Sequence, residues 1–166
     1  MAQNGKKWMA ADPIGKKWIR GGLLLGHFVK ERLAMEVDLF GSFPCTIENG
    51  RIKLPAPFCK TLSIESKQTF HITKEDIDSL YLYSPGMWEN RVDGLKKLRM
   101  KEGGEKRLRS IADTHYLVDV DKNGRMTIPQ DLREAAGLDK RVVVVGLFDH
   151  MEIWDYGRYE RSQGRM

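Results

Sequence analysis

The chain says nearly the same thing twice. Residues 48–55 read ENGRIKLP and residues 121–129 read DKNGRMTIP, with Pro four positions after the Arg each time. Sliding the sequence by 74 residues lays Gly50-Arg51 on Gly124-Arg125, Pro55 on Pro129, Phe58 on Leu132 and Ile64 on Leu138. With the offset shortened to 71, LYLYSPGMWE (80–89) lies over MEIWDYGRYE (151–160). Tyr83 then matches Trp154, Gly86 matches Gly157, Trp88 matches Tyr159 and Glu89 matches Glu160. Two copies of a unit of about 45–50 residues make a duplication, not a solenoid, which needs three or more repeats to bury a continuous core. The fold must therefore use one local pattern twice.

Each copy has the same grammar. A strand (41–48; 116–121) leads into a turn carrying Asn-Gly, a strong hairpin signal because both residues tolerate positive φ. A second strand follows with alternating residues, Arg51-Ile52-Lys53-Leu54 and Arg125-Met126-Thr127-Ile128. Alternation sends Arg51 and Lys53, and in the second copy Arg125 and Thr127, to one face; Ile52, Leu54, Met126 and Ile128 take the core face. Pro then opens a short helix, where its missing N–H costs nothing. In the second copy this helix spans 129–136 and is closed by Gly137 as the left-handed cap. The β-branched run 142–145 reads as a buried strand, and 151–154 as a final strand that ends at a capping residue, Asp155, matched by Ser84 in the first copy. Between the copies, 91–111 reads as helix, with Leu95, Leu98, Leu108 and Ile111 apolar and a break at Gly103-Gly104.

Charge is local. The chain carries a net +5. Residues 1–34 hold seven basic and two acidic residues, and the rest of the chain is balanced. Within that remainder, 91–109 holds eight basic and three acidic residues. A polyanion would therefore be met by basic patches and not by a uniform field. The basic helix reads first as a solvated face, with subunit packing or phosphate contact as the alternatives.

Several chemistries find no support. Cys45 and Cys59 fit no metal-ligand spacing and read as buried small hydrophobes, with a disulfide or metal site as the alternative. His71, His115 and His150 have no zincin spacing, and Gly21-Gly22 and Gly103-Gly104 lack the context of a phosphate loop. No catalytic or metal site and no cofactor is expected, and the chain does not read as an enzyme. No run approaches the roughly 18 apolar residues of a membrane span, so a soluble cytoplasmic protein is expected.

The repeated motif resembles that of the MraZ family of bacterial transcriptional regulators, which carry two tandem SpoVT/AbrB-like units. Asp121-Lys122-Asn123-Gly124-Arg125, then Pro129, Leu132 and Arg133, match the family pattern in full. VVVVGLFDHMEIWD after it and LFGSF (39–43) also resemble family segments. The first copy departs: Ile47 stands at the Asp position and Cys59 at the Arg position, with Lys60 beside it. The resemblance spans about residues 35–160 and implies an α+β, mostly β fold. In it, two swapped-hairpin units interlock as a pseudo-symmetric barrel-like domain with short helices. The units would be 39–90 and 115–161, joined by a basic linker helix at 91–114. It further implies a closed ring of eight or more subunits, association with the nucleoid, and binding of double-stranded DNA at G-rich direct repeats upstream of the protein's own division and cell-wall operon.

The chemistry of the residues agrees. A two-stranded ribbon fits the major groove, and an Arg fork can read guanine O6 and N7. Arg51 and Arg125 are the candidate base readers. Lys53, Lys122 and Thr127 suit phosphates, which set register. Arg133, on the helix after Pro129, is a further candidate DNA contact, with a structural or subunit role as its alternative. Pairing of Arg51 and Arg125 with a local carboxylate is the alternative or companion reading, and Asp121 is close to Arg125 in sequence. Tyr83, Trp88, Trp154 and Tyr159 read as core or interface aromatics. Competing functions are a ring-forming interaction scaffold and an antitoxin-type AbrB DNA binder.

Residues 1–34 form a basic N-terminal extension in which GKKW occurs at 5–8 and 15–18. One reading is an arm that tracks phosphates. Another is a translated control region with the natural start at Met35. Lys30-Glu31 can be encoded as a ribosome-binding sequence, and the GKKW copies lie about three turns of B-DNA apart at roughly 10–10.5 base pairs per turn. A cloning remnant is the third reading.

Overall fold

The computed structural model describes residues 39–165, and the expectations for residues 1–34 lie outside them. The first repeat runs β1 (Phe40–Thr46), β2 (Arg51–Lys53), α1 (Ala56–Thr61), β3 (Gln68–Thr73), β4 (Ser79–Tyr83) and α2 (Pro85–Leu98). After α3 (Gly104–Asp113) the second repeats the order: β5 (Tyr116–Val120), β6 (Arg125–Thr127), α4 (Gln130–Ala135), β7 (Arg141–Leu147), β8 (Met151–Asp155) and α5 (Tyr156–Ser162).

The local signals act where expected. Pro55 and Pro129 precede α1 and α4 with nearly identical backbone angles, φ −54° and ψ 136° and 137°. Ser84 and Asp155 cap α2 and α5 by accepting from the backbone N–H of Met87 and Arg158. Gly137 follows α4 with φ +65°. Ring pairs Tyr83–Trp88 and Trp154–Tyr159 recur in one edge-to-face geometry, with centroids 5.4 and 5.7 Å apart.

Pairing departs from simple hairpins. The turn after β1 does not fold β2 back along it; a single bridge joins Glu48 to Arg51. Instead β1 pairs with β7 of the other repeat, and β5 pairs with β3. The short strands β2 and β6 pair with each other, as do β4 and β8. Ile52 faces Met126 and Tyr81 faces Glu152, residues equivalent under the 74- and 71-residue offsets. A pseudo-two-fold relation therefore passes through both pairs. The reason is burial. β7 carries the valine run, buried on both faces and flanked by β1 and β8, so it needs a partner on each side.

Two expectations are corrected. The main sheet is antiparallel and ordered β1-β7-β8-β4-β3-β5; its edge strands do not meet, so no closed barrel forms. The fold is also not mostly β: helix and strand occupy nearly equal lengths, because the region after Ser84 is one continuous helix of 14 residues, with α3 packed against it. The core joins both repeats through Ile52, Leu54, Phe58, Phe70, Leu80, Met126, Ile128, Leu132, Val144 and Ile153, all at most 2% exposed. No helix among the described residues is long and apolar enough to cross a membrane.

Candidate nucleic-acid interface

The β2–β6 ribbon gathers most of the residues singled out by the sequence. Arg51 stands opposite Thr127 and Lys53 opposite Arg125, with Ile52 and Met126 between them. The four outer side chains are exposed, while Ile52 and Met126 are each 1% exposed. Strand alternation gives the ribbon one wet, cationic face and one dry face. Backbone bonds lengthen the ladder at both ends: Leu54 N donates to Gly124 O at 2.8 Å, and Ile128 N to Gly50 O at 2.9 Å. Each repeat's strand thus ends on the other repeat's turn glycine. A depression of about 410 Å³ opens here, lined by Thr46, Glu48, Asn49, Arg51, Lys53 and Arg125 among others.

The two turns are built differently. In the first, Glu48 and Arg51 exchange both backbone bonds at 2.9 Å around Asn49 (φ +54°) and Gly50 (φ +76°), a two-residue loop with both residues left-handed. In the second, Asp121 N donates to Arg125 O at 3.0 Å across a three-residue loop in which only Gly124 (φ +82°) is left-handed. Hydrogen bonding therefore makes Glu48, not Ile47, the counterpart of Asp121. Ile47 is a buried core residue at 9% exposure.

Asp121 organises the second turn. Its Oδ1 accepts from the backbone N–H of Asn123 at 2.8 Å and of Arg125 at 2.9 Å. Its Oδ2 lies 3.7 Å from Nη2 of Arg51. The Arg125 N–H bond, then that of Asn123 and the Arg51 and Arg125 charges, hold its carboxyl below the usual carboxylate range. Sequence proximity suggested Arg125 as the partner; the structure pairs Asp121 with Arg51 of the other repeat.

Lys122 is exposed in the turn. Arg133 is half-buried, and its Nε donates to the Ile128 carbonyl at 3.2 Å. It sits beside the ribbon's end and not on its exposed face. Cys45 and Cys59 are free and only partly buried, and burial raises both thiols, Cys45 to about 11.

Two histidine clusters lie elsewhere. His71 on β3 shares a 2.9 Å hydrogen bond with His115, and both rings stack on Trp88 of α2. His150 bonds Asp149 at 2.8 Å and Glu152 at 3.2 Å. Among the described residues no group of three or more His, Cys, Asp or Glu side chains could hold a metal ion.

The family model "MraZ protein", described as antitoxin-like, matches residues 112–165. The chain is similar to the transcriptional regulator MraZ of Acetivibrio thermocellus, 32% identical over 75% of this chain and 86% of that protein. It is also similar to the transcriptional regulator MraZ of Caldicellulosiruptor saccharolyticus, 34% identical over 75% of this chain and 85% of that one. A solution structure of PHS018 from Pyrococcus horikoshii aligns at 17% identity over 71% of this chain and 96% of that one, with a TM-score of 0.32.

Proposed function

The chain belongs to the MraZ family, and we propose that it regulates transcription by binding double-stranded DNA through the exposed face of the β2–β6 ribbon. It is a binding protein and not an enzyme. The observation that carries the ribbon assignment is the register: Lys53 beside Arg125 and Arg51 beside Thr127, all exposed, over buried Ile52 and Met126. A two-stranded ribbon is one of the two shapes the major groove admits, and the arginines offer forks to guanine. Lys53, Lys122 and Thr127 take phosphates, which position the protein without reading sequence. Arg133 supports the first repeat's turn.

In this reading the two SpoVT/AbrB-like units are 39–90 and 115–161, with 91–114 as linker and 1–34 as a basic extension. One chain offers few contacts. Copies assembled in a ring of eight or more would engage successive G-rich direct repeats, each bound copy raising the effective concentration of the next. The target is the DNA upstream of the protein's own division and cell-wall operon, which places the protein at the nucleoid.

Fluorescence anisotropy of the full-length protein on its upstream DNA and on a scrambled duplex, at two salt concentrations, tests the proposal. Tighter binding to the upstream DNA that weakens with salt is expected. Equal binding to both duplexes removes the sequence-specific reading and favours an interaction scaffold.

A further inference from the structure

The two copies of the motif do not present their arginines alike. Arg51 lies 3.7 Å from Asp121 across the ribbon, whereas Arg125 forms no ion pair among the described residues. The two turns also differ in length. The three-residue second loop lets Asp121 fold its Oδ1 back onto the N–H groups of Asn123 and Arg125, which fixes the carboxylate and turns Oδ2 toward Arg51. Glu48, the counterpart in the tighter first turn, forms no ion pair with Arg125 among the described residues.

We propose that Asp121 is a positioning residue for DNA recognition, holding the Arg51 guanidinium of the other repeat in one orientation while Arg125 stays free to adapt. The proposal rests on the reading of the ribbon as the DNA-binding face. Two physical points support it. An arginine's rotamer freedom opposes bidentate pairing, and a fixed carboxylate restricts that freedom before DNA arrives. The carboxylate is itself restrained, because two backbone donors bind the same side chain that meets Arg51. The ribbon then presents one pre-oriented fork and one mobile fork. Asp121 also places a negative charge beside the phosphates, so it lowers affinity for any duplex while raising discrimination between duplexes.

Asp121→Asn separates this role from turn building. Asparagine keeps an oxygen that accepts from the Asn123 and Arg125 N–H groups, but it removes the charge that meets Arg51. The experiment compares full-length wild type, D121N, R51A and R51A/D121N by anisotropy on upstream and scrambled duplexes, with thermal unfolding alongside. D121N is expected to remain folded, to bind scrambled DNA at least as tightly, and to lose about two- to fivefold in the upstream-to-scrambled ratio, the scale of an exposed ion pair. In the R51A background D121N is expected to leave that ratio unchanged. An unchanged ratio in D121N, or an equal fall with and without Arg51, overturns the proposal. A DNA-free arm keeps the two readings apart: carbon-detected titration of the Asp121 carboxyl should move to higher pH in R51A. No movement there overturns the cross-repeat contact whatever the DNA result. A wild type that does not discriminate overturns the DNA reading, and the specificity role with it, while the titration still decides the contact.

Discussion

Arg133 of the second repeat lies against Gly50 of the first, with its Nη2 3.2 Å from the point a Gly50 Cβ would occupy. Cys59 of the first repeat lies against Gly124 of the second in the equivalent place, its Sγ 2.5 Å from the corresponding point. The Arg-to-Cys departure in the first copy therefore fills the same post: each repeat's short helix braces the other repeat's turn. Both glycines have positive φ, +76° and +82°. Gly124→Ala combines that backbone strain with a clash against the sulfur, and is expected to cost about 1–3 kcal/mol in urea unfolding. Adding Cys59→Ala should return the steric part. Gly50→Ala should cost less, because the end of the Arg133 side chain can move.

The ribbon residues should separate by role. Arg125→Ala is expected to cost about 1–3 kcal/mol of discrimination for upstream over scrambled DNA. Lys122→Ala should weaken both duplexes alike and reduce the salt slope by about one. Arg133→Ala should lower the unfolding midpoint instead, with the salt slope unchanged. Anisotropy across salt, together with thermal unfolding of each variant, checks all three.

Glu75 ties the linker helices to the sheet. It is 6% exposed and accepts from Thr73 Oγ1 at 2.9 Å, Tyr83 OH at 2.8 Å and the Arg91 guanidinium; its own carbonyl accepts from Arg107 at 2.7 Å. Removing the carboxylate strands several donors at once. Glu75→Ala is expected to cost about 2–4 kcal/mol, and urea unfolding measures it.

Much of this was legible in the sequence. The 74-residue offset located both ribbon strands, and alternation put Arg51 with Lys53, and Arg125 with Thr127, on the face opposite the apolar residues. The caps Ser84, Asp155 and Gly137 followed from local chemistry. Partner choice was not legible. An Asn-Gly turn signals a hairpin, yet β1 leaves β2 and joins β7, because the gain lies in covering the valine strand of the other repeat. The same limit hid Asp121–Arg51, whose partners are 70 positions apart in sequence while Arg125 is only four from Asp121. β3 also went unread: QTFHIT alternates weakly, with Phe70 and Ile72 buried on one face and Thr73 buried on the other, beside His71, which stacks on Trp88 of α2. The duplication was the available clue to all three, since two copies that interlock must exchange partners.

The histidines should titrate in opposite directions. Burial lowers His71 and His115, and their mutual charge lowers His71 further. Folded values below the unfolded one, about 6.5, mean that the unfolded chain binds more protons, so this contribution is complete above pH 6.5 and is lost as pH falls below it. Burial alone would also lower His150, but bonds to Glu152 and Asp149 outweigh it and raise the ring. Its contribution is complete below about 6.5 and is lost as pH rises through the folded value. His150→Gln should therefore cost more stability at pH 6 than at pH 8.5, and NMR titration should place His71 and His115 below His150.

The most direct measurement compares wild type with the triple variant R51A/K53A/R125A on upstream DNA by anisotropy, after thermal unfolding has established that the variant is folded. All three side chains are exposed, so the unfolding midpoint should stay close to that of wild type. The predicted result is a folded protein that no longer distinguishes upstream from scrambled DNA. A folded variant that still binds upstream DNA with full preference would contradict the ribbon as the recognition surface.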